Sequence, residues 1–164
     1  MKSKILSAIV ICFIFSGSLG AIHVNSDNEV GNILDAAEGL FKAMKDRSYN
    51  KIWESITAQS RATIIEDVIR ALEKSGKESV DNQQIAADFN NCETLCKAYW
   101  NSYLEHFSPV TVLEQSKWDI GVIKRDKTEI IVTYKRSERP AVIKMYKEDG
   151  TWKVGLTETF WSRK

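Results

Sequence analysis

The stretch MYKEDGTWKV, Met145 to Val154, decides the fold. Two alternating apolar runs flank Asp149-Gly150, and a two-residue type I′ turn, which needs positive φ at both central positions, favours that pair. With those two as the loop, Glu148 opposes Thr151, Lys147 opposes Trp152, Tyr146 opposes Lys153, Met145 opposes Val154 and Ile143 opposes Leu156. Directly opposed residues share a face. Ile143, Met145, Val154 and Leu156 therefore form one apolar surface with Trp152 at its end, and a slip of one residue would scatter them over both faces. The other face carries Val142, Lys144, Tyr146, Lys153 and Thr157.

Working back from the hairpin, the period of two persists. KWDIGVI (117–123) puts Trp118, Ile120 and Val122 on one face, and TEIIVTY (128–134) is rich in β-branched and aromatic residues. With AVIKMYK and TWKVGLTETFW these make four strands, and VTVL (110–113) reads as the start of the sheet. Ile130, Val132 and Tyr134 fit either face, because the KRDK turn (124–127) leaves their register open. SERP (137–140) is a solvated loop.

Before Pro109, which ends the helical half on this reading, the spacing is three and four. Ile33, Ala37, Leu40 and Met44, widened by Leu34 and Phe41, mark a first helix. Tyr49, Ile52, Trp53 and Ile56 mark a short second one, and a third runs over 61–74 to Ser75-Gly76. Asp81 or Ser79 caps a fourth over 82–107, with Ile85, Phe89, Cys92, Cys96, Tyr99, Tyr103 and Phe107 on one stripe and Asn90-Asn91 as its one break. Helices first and antiparallel strands second make an α+β domain, with helices packed on the sheet. Neither half buries its apolar face alone, so residues 30–164 are one domain.

At the front, Lys2 and Lys4 precede an apolar run from Ile5 to Phe15 and the small-residue exit SGSLGA. That order is a secretory signal peptide over residues 1–20, cut after Gly20; the run is shorter than the roughly 20 residues that span a bilayer. Residues 21–29 read as a flexible lead-in. The chain is expected to be exported, periplasmic or secreted, with no stable membrane anchor after cleavage. Losing Lys2 and Lys4 turns 23 basic and 22 acidic residues into 21 and 22, a balance that offers nucleic acid no electrostatic footing. Cys92 and Cys96 remain in a compartment that permits disulfides. Side chains one helical turn apart stand about 5–6 Å apart at Cβ and a disulfide wants about 3.8 Å, so they pair only where the helix breaks near Asn91. Neither His23 nor His106 lies at a zinc-ligand spacing from them, and no metal or cofactor is expected.

AAEGLFKAMKDRSYNKIWESI (36–56), with Tyr49 and Trp53, followed by further helices and a sheet closing on KEDGTWKV (147–154), resembles the nuclear transport factor 2-like superfamily over about residues 30–160, in the manner of its small exported bacterial members without assigned activity. The resemblance implies a cone: a curved antiparallel sheet wrapped around helices, open at one end. It also implies one of three uses, as an isomerase or dehydratase site, a ligand pocket, or a dimerisation and interaction module. The fold does not choose among them.

No catalytic residue carries over from the superfamily. Asp119 has apolar neighbours, and burial would suit it to proton transfer, but alternation sends it away from Trp118 towards solvent. His106, in a last helical turn, suits the helix dipole. The aromatic residues point instead to an apolar pocket or an ordinary core, with Trp53 from the helical side and Trp118 and Tyr134 from the sheet as its lining. The expected function is an exported, non-catalytic binding or interaction module of the cell envelope, holding an apolar small ligand in the cone. A small isomerase- or dehydratase-like enzyme is the alternative. A homodimer is expected through the outer sheet face, at Val142 and Tyr146, as an isologous two-fold contact. Protein recovered from the periplasm or medium should begin at Ala21 on N-terminal sequencing and scatter light as two chains. A chain starting at Met1, or a single-chain mass, counts against export or pairing respectively.

Overall fold

The computed structural model describes residues 21–76, 81–135, 137 and 139–160. The expected signal peptide (1–20), the alternative cap Ser79 and Trp161 lie outside them. Seven helices and four strands follow in the order α1 (Ala21–Lys45), α2 (Tyr49–Ser55), α3 (Ala58–Lys74), α4 (Asn82–Asn91), α5 (Thr94–His106), α6 (Pro109–Glu114), β1 (Ser116–Ile120), β2 (Lys127–Tyr134), β3 (Ala141–Glu148), β4 (Thr151–Val154) and α7 (Leu156–Phe160). The fold is α+β: helices, then a curled antiparallel sheet of order β1-β2-β3-β4.

The opening hairpin forms in the expected register, Met145 opposite Val154 through Glu148 opposite Thr151. Asp149 and Gly150 hold φ of 49° and 79°, as a type I′ turn requires. Its apolar face, with Ile130, Val132 and Ile143, is buried against Ile33, Ala37, Leu40, Phe41 and Met44 of α1. Each fully buried aliphatic side chain contributes about 1.5–3 kcal/mol, so this contact is the principal core. Tyr134 joins the inner face of β2, whose exposed and buried residues alternate.

Four expectations are corrected. The pairing of Ile143 with Leu156 does not form, because the last strand stops at Val154. Gly155 turns the chain out of the sheet beside Tyr146, where an added Cβ would come within 2.6 Å of the ring. Leu156 and Thr157 are then buried in succession, which a strand with one solvated face cannot do. VTVL is helical, not the start of the sheet, and Pro109 begins a helix instead of ending the helical half. Ser108 accepts from Thr111 N and Pro109 occupies the first turn, where its missing N–H costs nothing. The lead-in 21–29 belongs to α1, held by the Glu29 carboxylate, which accepts from Lys147 Nζ and Trp152 Nε1, each at 2.8 Å. The hydrogen bond from Lys147, then that from Trp152, lowers the Glu29 pKa.

The fourth correction concerns helix 82–107, which is two helices. α4 ends after Asn91 with Cys92 in the left-handed region at φ 47°, and Asp88 caps the next helix by accepting from Leu95 N and Cys96 N at 3.1 and 2.8 Å. At this break Cys92 and Cys96 are joined by a disulfide with Cα atoms 5.0 Å apart. Both are buried, at 3% and 0% exposure. So short a loop gives a modest entropic effect. Replacing both cysteines by serine should lower unfolding stability by about 2 kcal/mol, read by urea denaturation of both proteins. An unchanged midpoint would show that Asp88 alone fixes the α4–α5 corner.

Candidate functional site

The three residues expected to line one pocket occupy three environments. Trp53 is 3% exposed; its ring lies 5.0 Å from that of Phe89, and its Nε1 donates to Asn90 Oδ1 at 3.1 Å. Trp118 stands edge-on to Phe41 at 5.7 Å, donates to Ser116 Oγ, and borders a shallow depression with Leu34, Glu38 and Leu113. Tyr134 is half-buried at the end of β2, opposite Ser116. Trp118 and Tyr134 share the inner sheet face, but Trp53 is in the helical layer. Phe41, Met44 and Met145 are buried in the core where α1 meets the sheet, and Phe89 and Trp100 are buried among the helices, all at or below 1% exposure.

The apolar cavity lies outside that layer, along α5. Tyr99, Ser102, Tyr103 and His106 recur at three and four, so they share one helix face. With Phe107 and Phe160 they line a cleft of about 480 Å³, a volume typical of small-molecule sites. Trp100, flanked by Tyr99 and Tyr103, is fully buried. The rings connect core to cleft: Phe89 to Tyr99 at 5.7 Å, Tyr99 to Trp100 at 5.1 Å, Trp100 to Tyr103 at 5.7 Å, Tyr103 to Phe107 at 5.4 Å and Phe107 to Phe160 at 6.3 Å. Such edge-on and tilted pairs add about 0.5–1.5 kcal/mol each beyond area burial. This lining is therefore held stiffly.

Burial pushes the phenols of Tyr99 and Tyr103 well above the ordinary tyrosine range, with a smaller contribution at Tyr99 from Tyr103 and Asp67. Both remain O–H groups at any physiological pH. His106 Nδ1 lies 3.2 Å from the Ser102 carbonyl oxygen and the ring is exposed. The cleft thus combines apolar walls with several hydroxyls and one imidazole.

α7 carries the far wall and is pinned to α3. Thr57 Oγ1 donates to Glu158 Oε1 at 2.7 Å, Ser60 Oγ donates to Oε2, and Thr157 N donates to Ser60 Oγ at 3.1 Å. Ser60 is 0% exposed, which makes it a buried tie and not a nucleophile. Asp119 is on the outer sheet face, 3.2 Å from Lys117 Nζ. Burial does not prepare it for proton transfer. Also on that face, Ile131 and Val142 oppose each other at 37% and 39% exposure. Among the described residues no three His, Cys, Asp or Glu side chains are grouped to hold a metal, and no helix is long and apolar enough to cross a membrane. Comparison of the chain with protein-family models, curated proteins and solved structures finds no match.

Periodicity alone puts Tyr99 and Tyr103 on the apolar stripe of one long helix. The usable signal was the Tyr99–Ser102–Tyr103–His106 spacing after a break at Cys92. Because the two phenols keep their protons in the folded chain, stability should be complete below the ordinary tyrosine pKa of about 10 and fall as pH rises above it. A pH titration followed by tyrosinate absorbance and circular dichroism should show Tyr99 and Tyr103 ionising with unfolding. Their ionisation at about pH 10 in a folded chain would contradict this.

Proposed function

We propose that this chain is an exported, non-catalytic binding module that holds a small apolar molecule bearing a hydrogen-bond acceptor. The seat is the α5–α7 cleft and not the interior of the cone, which side chains fill. The observation that carries the reading is the pairing of Phe107 and Phe160 walls with the protonated Tyr99 and Tyr103 phenols. Rigid aromatic walls take up apolar surface, and a few polar points orient the guest. Export rests on the N-terminal charge, apolar core and small-residue order, and the nuclear transport factor 2-like relationship on the Tyr49–Trp53 and Lys147–Val154 stretches together with the α+β architecture. A two-fold partner copy belongs to the same proposal, at the exposed Ile131–Val142 pair.

A bicyclic ketone such as camphor, an apolar body with one carbonyl acceptor, is a suitable probe. It should shift the ring resonances of Tyr103, Phe107 and Phe160 saturably. Tyr103→Phe should weaken binding about 2- to 10-fold, the loss of one hydrogen bond, without changing the unfolding midpoint. Shifts confined to other parts of the chain would refute the cleft as the seat. Turnover of the probe, abolished by His106→Gln, would favour the isomerase- or dehydratase-like enzyme, since the imidazole is the one side chain among the lining residues that can both donate and accept a proton at a ring nitrogen.

A further inference from the structure

A second depression, of about 450 Å³, lies on the outer sheet face and shares no lining residue with the aromatic cleft. It opens where β2 and β3 meet the turn after β1, and Val122, Lys124, Lys127, Thr128, Glu129, Lys144, Met145 and Tyr146 border it. The register explains the gathering. Lys127 opposes Tyr146 and Glu129 opposes Lys144, so all four stand side by side on the outer sheet face. Lys124 is brought alongside by the tight turn in which Lys124 N and Lys127 N donate to each other's carbonyl oxygens at 2.8 and 2.9 Å.

Elsewhere among the described residues, Lys42, Lys45, Lys117 and Lys147 each have a carboxylate within 3.5 Å, while Lys51, Lys74, Lys97, Lys135 and Lys153 are scattered singly with none. Among the described residues, Lys124, Lys127 and Lys144 have none within ion-pair distance, although Glu129 is directly across from Lys144. Lys127 Nζ instead rests 5.6 Å from the centre of the Tyr146 ring. Three ammonium groups against one carboxylate leave an excess of two positive charges around a concave space. Gly155 closes the neighbouring side, packed against Tyr146, so the ring is braced.

We propose that this depression binds a small phosphomonoester that also carries hydroxyl groups, of the hexose phosphate type. A phosphomonoester has about −1.5 to −2 charges at neutral pH, which matches the local excess, whereas a single carboxylate would satisfy half of it. Lysines serve phosphate as point charges, and three of them border the space. Glu129 is the second half of the recognition. An ionised carboxylate is an acceptor only, so it repels a bare anion and accepts from sugar hydroxyls. Phosphoryl and polyol are thereby recognised by opposite charges on adjacent strand positions.

The test is amide chemical-shift titration of the full exported chain with glucose 6-phosphate, glucose and inorganic phosphate in separate arms. Glucose 6-phosphate should shift residues 124–129 and 144–146 saturably, and glucose should not. Inorganic phosphate should bind about fivefold more weakly. Raising salt beyond about 0.1 M, where the screening length is about 10 Å, should weaken binding, because the lysines are exposed or half-exposed. The double variant Lys127→Gln/Lys144→Gln should lose at least about tenfold in affinity with its thermal midpoint unchanged. Glu129→Gln should abolish the preference for the sugar phosphate over inorganic phosphate. Absence of a saturable shift, an equal response to glucose, or parental affinity in the double variant would overturn the proposal.

Discussion

The β3–β4 hairpin is the contact on which the other elements converge. Its turn, with positive φ at Asp149 and Gly150, sets a register, and that register aims three consecutive positions of β4 and, across the turn, Glu148 of β3 at different partners. Trp152, beside Lys147, reaches Glu29 of α1. Lys153 Nζ donates to the Glu54 carbonyl at the end of α2. Val154 accepts from Thr57 N at 3.0 Å and bridges in parallel to Ile56, which covers the edge of β4 with the α2–α3 junction. Glu148 accepts from Ala58 N at the start of α3. An uncovered sheet edge invites pairing with other chains. Here the edge is closed by the helices it helps to position.

Packing then decides where a ligand can go. The inner sheet face and α1 meet through buried side chains, and part of the apolar stripe of α5 borders the outer cleft. Trp100 is fully buried on that helix, and Tyr99 and Tyr103, whose rings pack edge-on against it, border the cleft. α7 supplies Phe160 because Gly155 diverts the chain there, and Lys144 N donates to Thr159 Oγ1 at 3.0 Å in place of a strand partner. The hydroxyls of Thr57, Ser60 and Thr157 around Glu158 hold α7 to α3. One diversion of the chain therefore ends the sheet, builds a wall of the cleft and braces Tyr146 on the outer sheet face.

The α4–α5 corner shows a local conflict resolved by sequence. Two cysteines four apart within a continuous helix sit too far apart at Cβ to bond, and a left-handed Cys92 carries a steric cost that glycine would avoid. Asp88 and the disulfide act on the same turn: the carboxylate satisfies the first N–H groups of α5, and the covalent link holds its starting direction. That direction sets which stripe of α5 faces inwards.

Hairpin register, the order of helices before strands, the break near Asn91 and the inward stripes of α1 and α2 were legible in the sequence. Each depends on local periodicity or on turn chemistry, and both are properties of neighbouring residues. The frayed lead-in, the strand assigned to VTVL and the long last strand were misread for a common reason: propensity in those segments yields to contacts with residues far along the chain. Glu29 needs Trp152, 123 positions away. Leu156 and Thr157 need Ser60 and α3. The site was legible only as an abundance of aromatic residues. Tertiary structure decided which of them pack and which border a cavity, because volume filled from the sheet side determines what remains open on the helix side.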